Sequence, residues 1–163
     1  MQKISVCLIS FLLIFQSSLF AYSSNPKNFI DELVKDAIIK LSDKNLTKKQ
    51  KASFVEKVAT ENVDINALGL YTLGELRKSS SQDEISKYQK SFTQYFLKSL
   101  TSRLTDYSES EFEILGEDKK SANYTIINSK ISPNDGGPEI KVDWRVYTKN
   151  PEKPLIRDLI VEG

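Results

Sequence analysis

The sequence has no histidine, and its one cysteine, Cys7, lies in an apolar run at the start of the chain. The absence of histidine excludes the Ser-His and Cys-His pairs of nucleophilic enzymes and removes the commonest zinc ligand. There is also no phosphate-binding glycine loop, because Gly136-Gly137 lies between two predicted strands and does not precede a helix. No cofactor and no metal ion is therefore expected.

The first 21 residues have the composition of a secretory signal peptide. Lys3 provides a basic start, residues 4–20 are mostly apolar, and Ala21 is the small residue that a signal peptidase requires. An uncleaved membrane anchor is the alternative, since the apolar run approaches spanning length. Three polar residues at 16–18 interrupt the run and favour a signal cut after Ala21. We therefore expect residues 22–163 to form a single domain.

Neither positive nor negative charge is in excess. The chain has 23 basic and 22 acidic residues, and cleavage after Ala21 would remove Lys3 and make the two counts equal. A chain without net charge or a basic stripe is not expected to bind nucleic acid. The apolar fraction of 39% is sufficient for one core without a disulfide.

The first half of the chain predicts helices. Asn25-Pro26 suits the start of a helix that ends near Ser42, and Thr47 with Gln50 forms a capping box for a second helix. Asp64 caps a third, in which Gly69 and Gly74 indicate either close packing or a bend beside a cavity. The first helix has a wide apolar stripe of Phe29, Ile30, Leu33, Val34, Ala37, Ile38 and Leu41, and the second contains Phe54, Val55, Val58 and Ala59.

A fourth, longer helix is the most strongly patterned stretch. Ser81 with Glu84 is a capping box, which places the helix start near Gln82. Apolar residues then recur every three or four positions, the period of a helix. They are Ile85, Tyr88, Phe92, Tyr95, Phe96, Leu100, Leu104 and Tyr107. Such a helix needs an apolar partner surface along its length.

The last third of the chain changes to the alternation of strands. Strands are predicted around Phe112–Ile114, Ala122–Ile126, Ile140–Val146 and Leu155–Val161, with turns between them. Helices followed by a meander of strands predict an α+β fold. We expect N-terminal helices packed on one face of a curved antiparallel sheet of about four strands.

Three functional classes are consistent with these patterns. The stripe of the long helix and the Val142-Trp144-Val146 face of the sheet either fill each other as a core or surround a ligand cavity. A filled core would indicate an interaction module without a ligand. An exported enzyme that uses Asp143 or Asp158 as a general base is a further alternative, although arginine neighbours offer each carboxylate a plain ion pair.

The order of several short motifs resembles the MlaC family of periplasmic phospholipid carriers. The matching motifs are Asp64 opening a helix that runs to Leu73-Gly74, then Phe92, Phe96, Leu100, Arg103-Leu104 and Tyr107, then Val142-Asp143-Trp144-Arg145-Val146, and finally Asp158 leading into Val161-Glu162-Gly163. The chain departs from the family at Leu76-Arg77, where a tryptophan is common. It also stops at Gly163, where family chains usually continue into a C-terminal helix.

The resemblance implies an NTF2-like or MlaC-like fold and a periplasmic, non-enzymatic carrier that binds a phospholipid by its acyl tails. Its implied partners are an inner-membrane ABC transporter complex and an outer-membrane lipoprotein complex, between which it would shuttle the lipid and so maintain outer-membrane asymmetry. From the faces that the patterns predict, we expect the pocket wall to consist of Leu68, Leu73, Leu76, Phe92, Phe96, Leu100, Leu104, Ile126, Val142, Trp144 and Val146.

Overall fold

The computed structural model describes residues 22–104, 110–134 and 136–161. The helices are α1 (Pro26–Ser42), α2 (Lys48–Asn62), α3 (Ile65–Thr72), α4 (Leu76–Ser79) and α5 (Gln82–Leu104). The strands are β1 (Ser110–Ser121), β2 (Tyr124–Pro133), β3 (Ile140–Tyr147) and β4 (Leu155–Val161). The strands pair antiparallel in the order β1-β2-β3-β4, which confirms the predicted meander and the α+β class.

Short polar motifs begin the helices where the sequence predicts. The side chain of Asn25 accepts a hydrogen bond from the Asn28 backbone N–H at 3.1 Å, and Asp64 accepts one from Ala67 N–H at 3.1 Å. At α5, Glu84 Oε2 accepts from the Ser81 backbone N–H at 2.8 Å, which forms one half of the predicted capping box. Each of these bonds satisfies a helix-terminal group that has no partner within its own helix.

The third helix ends earlier than predicted. It stops at Thr72, and Gly74 adopts a left-handed backbone with φ of 55°, a conformation that glycine tolerates best. The prediction that Gly74 lies inside the helix is therefore wrong. Gly69 lies within α3, where a Cβ would be 3.0 Å from Cδ1 of Phe92, so this glycine allows α3 and α5 to pack closely.

The core lies between α1 and the helix-facing side of the sheet. Phe29 and Ile30 of α1 are fully buried, as are Ile127 of β2 and Val146 of β3. At the other side of the helical layer, Lys51 Nζ donates to the Leu41 carbonyl and ties the start of α2 to the end of α1. The sheet and α1 therefore form a packed unit on which the other helices rest.

The long helix α5 is the exception to this packing. It contacts α2 and α3, but none of its residues reaches the burial of the core. Tyr95, predicted on its apolar stripe, is 71% exposed, and Tyr107 lies outside the described residues. The stripe of α5 is thus held away from the sheet.

Candidate lipid-binding cavity

An apolar cavity of about 260 Å³ separates α5 from the sheet. Its walls come from α1, α2, the C-terminal half of α5, and the last three strands. The residues that line it are Leu33, Val34, Ala37, Ile38, Leu41, Phe54, Val55, Val58, Ala59, Val63, Phe96, Leu100, Leu104, Ile131, Val142, Trp144, Ile156, Leu159 and Val161. No charged or polar residue occurs among them, so the cavity suits hydrocarbon.

Trp144 presents its ring to the cavity while its polar atom is satisfied elsewhere. The indole Nε1–H donates to Ser129 Oγ at 2.8 Å, and Ser129 Oγ donates to the Val142 carbonyl at 2.9 Å. Phe112 packs against the indole edge to face, with ring centroids 6.5 Å apart. The tryptophan is thereby fixed in orientation, and no unpaired N–H faces the cavity.

The lining of the cavity differs between the two ends of β4. Near the start of β4, Val63 forms a bridge with Ile156, and the Asp64 N–H donates to the Ile156 carbonyl at 2.8 Å. At the other end of β4, Leu159 and Val161 line the cavity although they are 40% and 56% exposed. The cavity therefore opens beside the last residues of β4.

Five of the predicted wall residues lie on the cavity: Phe96, Leu100, Leu104, Val142 and Trp144. All five come from the two surfaces that the sequence paired, the long helix and the central strand. The structure places them on opposite sides of an open space. The helix and the sheet therefore face each other around a cavity, the second of the two arrangements that the sequence left open.

Six other predicted wall residues lie elsewhere. Val146 is completely buried in the core beneath α1. Ile126 lies on the far face of β2, because it pairs with Arg145 while Ile127 pairs with Trp144. Phe92 packs on Gly69 instead. Leu76 is 63% exposed on α4, and Leu68 and Leu73 are half-buried near the α3–α5 contact and do not line the cavity.

The prediction missed the contribution of the first two helices. Ten of the lining residues come from α1, α2 and the residue that follows α2. The wide apolar stripe of α1 was a signal for this, since its residues Leu33, Ala37 and Leu41 line the cavity. The pattern gave no information on which helices would be neighbours, and the predicted wall therefore included no residue of α1 or α2.

The two carboxylates considered as general bases lie on the other side of the sheet. Asp158 Oδ2 accepts a hydrogen bond from Arg145 Nη1 at 3.0 Å, and Asp143 Oδ1 accepts one from Asn128 Nδ2 at 2.8 Å. Neither carboxylate lines the cavity. Across the described ranges, no helix is long and apolar enough to span a membrane, and no three metal-ligating side chains cluster.

Comparison with known proteins agrees with this architecture. No curated protein matches the sequence. Among solved structures, the chain is similar to the phospholipid-binding protein from Ralstonia solanacearum in complex with a phospholipid, with 14% identity and a TM-score of 0.66. The alignment covers 84% of this chain and 78% of that chain, and at this identity it shows a shared fold. The family described as MlaC protein matches residues 31–163, so the chain belongs to the MlaC family.

Proposed function

We propose that the protein is a periplasmic carrier that binds a phospholipid by its acyl tails and shuttles it between membrane complexes. The observation that carries this proposal is the all-apolar cavity between α5 and the sheet. Membership of the MlaC family supports it, as does the fold shared with a phospholipid-binding protein that was solved with a phospholipid. The implied partners are an inner-membrane ABC transporter complex and an outer-membrane lipoprotein complex.

Elementary energetics supports a carrier of this design. Burial of a methylene stabilises by about 0.8 kcal/mol, so two acyl tails with roughly thirty carbons represent over ~20 kcal/mol of apolar transfer. A bilayer offers a similar amount, so the carrier needs only to match it, and direction would be set by the complexes at either membrane. No reaction is needed, and we propose a binding protein, not an enzyme.

We propose that the cavity enlarges when a lipid enters. Ligand pockets generally have volumes of about 300–1,000 Å³, and this cavity, at about 260 Å³, is slightly smaller. We expect α5 to move outward, because it is the wall with no buried residue. The headgroup would remain in water at the open end beside β4.

We also propose that the N-terminal segment directs export of the protein. We propose that residues 1–21 are removed and that the carrier begins at Tyr22. The intact mass of the protein recovered from the periplasmic fraction tests this directly. A mass that includes residues 1–21 would contradict cleavage after Ala21.

Native mass spectrometry of protein purified from bacterial cells without detergent tests lipid binding. We expect a population heavier by the mass of one phospholipid, which denaturation removes. Phe96→Asp should abolish this population, because it places a charge on the cavity wall. Tyr95→Asp is the matched control, because Tyr95 is the neighbour of Phe96 on α5 and its side chain is 71% exposed. A folded Phe96→Asp variant that retains lipid would contradict the cavity.

A further inference from the structure

A second cavity, of about 390 Å³, lies at the hairpin that joins β3 to β4. In contrast to the first, most of its lining residues are of polar or charged types, and they include Arg157, Lys149 and Lys153. One carboxylate, Asp64, also lines it, so the ionisable residues of the lining have three positive charges and one negative charge at neutral pH. The cleft therefore has the charge that an anion requires.

Arg157 is held in a fixed orientation at the wall of this cleft. Its Nε donates to Asp64 Oδ2 at 3.0 Å, and its guanidinium carbon lies 3.7 Å from the centre of the Tyr147 ring. Asp64 is itself fixed as the cap of α3. Among the described residues, neither Nη group of Arg157 has a hydrogen-bond partner. The guanidinium is thus held by Asp64 at its Nε and stacked on Tyr147, and its Nη groups remain available as donors.

This arrangement is suited to a phosphate group. A planar guanidinium presents parallel N–H donors that match two oxygens of a phosphate, and an arginine that is already ordered loses little entropy on binding. Lys149 and Lys153, on the connection between the paired strands, supply the additional positive charge that a phosphate dianion favours. We propose that the Arg157 cleft is a binding site for a phosphate group.

The site is separate from the cavity that we assign to acyl tails. Val63 and Ile156 line the apolar cavity, whereas their neighbours Asp64, Leu155 and Arg157 line the cleft, so one backbone layer divides the two. The apolar cavity opens near Val161, about 13 Å further along β4 at roughly 3.3 Å per residue. The phosphate in the cleft therefore belongs to a second molecule, and the proposal does not rest on lipid carriage.

Titration with sodium phosphate, followed by NMR of the labelled protein at constant ionic strength, tests the site. We expect saturable shifts of the amide signals around Arg157, with no equivalent shifts in sodium chloride. Lys149→Gln/Lys153→Gln leaves the Arg157–Asp64 pair intact and should weaken the apparent affinity at least about threefold. Arg157→Gln should abolish the saturable shifts.

Lys87→Gln/Lys98→Gln is the charge-matched control, because both lysines are exposed on α5, away from the cleft. Its affinity for phosphate should equal that of the unchanged protein. Shifts that do not saturate would overturn the proposal. So would equal affinities in this control and in both cleft variants.

Two further titrations distinguish the sources of the phosphate. Sedimentation of the unchanged protein with phosphatidylglycerol vesicles, lost in Arg157→Gln, would identify a headgroup at a membrane surface. Tighter binding of glycerol 3-phosphate than of inorganic phosphate, without sedimentation, would identify a soluble phosphate ester. Either result supports the site and assigns its ligand.

Discussion

Trp144 and Ser129 lie diagonally across neighbouring strands, since Trp144 pairs with Ile127 and Ser129 with Val142, and the indole N–H donates to the serine hydroxyl at 2.8 Å. Ser129 is 1% exposed, and its hydroxyl is the only polar partner of the indole among the described residues. This bond allows a side chain with a polar atom to line an entirely apolar cavity. The buried serine is therefore a structural requirement of the cavity wall.

Ser129→Ala should leave the Trp144 N–H buried without a partner. We expect the free energy of unfolding to fall by about 1–3 kcal/mol, the cost of an unsatisfied buried donor. Urea denaturation followed by circular dichroism measures this change. Ser132→Ala is the control, since among the described residues Ser132 Oγ bonds only to the exposed Glu139, and its removal should change stability little. Equal effects of the two substitutions would contradict the role of Ser129.

Ala37→Phe should fill part of the apolar cavity from α1, because Ala37 lines it. If the ring displaces even two methylenes of a lipid tail, at about 0.8 kcal/mol each, affinity falls by about tenfold or more. The fraction of lipid-bound protein in native mass spectrometry measures the effect. Ile39→Phe is the matched control on the same helix, since Ile39 is 67% exposed and does not line the cavity. Unchanged lipid content in folded Ala37→Phe would place the tails elsewhere.

Gly69 and Phe92 should be energetically coupled. Gly69→Ala brings a methyl to 3.0 Å from the phenyl ring, so the ring or α5 has to shift. In a Phe92→Ala background the same change meets no ring, and we expect it to stabilise by up to about 1 kcal/mol through helix propensity. Urea denaturation of the four proteins forms a double-mutant cycle. If the two substitutions change the free energy of unfolding additively, Gly69 and Phe92 are not energetically coupled.

Stability should fall at high pH because of Tyr22. Burial raises the pKa of its phenol above the ordinary value, and so does the hydrogen bond that the phenol donates to Asp36 Oδ2 at 2.8 Å. The unfolded chain loses this proton near pH ~10, while the folded chain keeps it. The contribution is therefore complete below about pH 10 and declines as the pH rises further.

Tyr22→Phe should flatten this decline. The free energy of unfolding between roughly pH 9 and pH 11 should depend less on pH in this variant than in the unchanged protein. Tyr71→Phe is the control, because Tyr71 is 70% exposed. A slope that is the same in all three proteins would show that Tyr22 does not contribute.

Local signals in the sequence predicted most of the fold. Helix starts at Asn25, Thr47 and Ser81 depend on side chains that bond to backbone groups three residues away, and such motifs do not need the rest of the chain. The meander follows from turns that separate consecutive strands. The class and the order of the elements, except for the short α4, were therefore readable from neighbouring residues.

The face of β2 was not readable in the same way. Ile126 and Ile127 are adjacent, so both choices of the inner face place an isoleucine on it. The inner face also carries two polar residues, Thr125 and Ser129, both buried. Ser129 is inside because it bonds to Trp144 and to the carbonyl of Val142, and alternation cannot predict such cross-strand partners.

The arrangement of the helices around the cavity was the other feature that the sequence could not predict. Amphipathic patterns show that α1, α2 and α5 each have an apolar face, but not which faces meet. Gly69 packs on Phe92, which turns that ring toward α3 and away from the cavity. Only this contact explains why Phe96 lines the cavity and Phe92 does not.

The incomplete burial of α5 has a consequence for how the protein resists local opening. In the empty protein this helix is held by α2 and α3, so its amide hydrogens should exchange with solvent faster than those of α1 and β3. Acyl tails between α5 and Trp144 would give its apolar stripe the contacts that the sheet does not provide. A bound lipid would then act as an exchangeable part of the hydrophobic core, and the protection of α5 would be a direct readout of lipid occupancy.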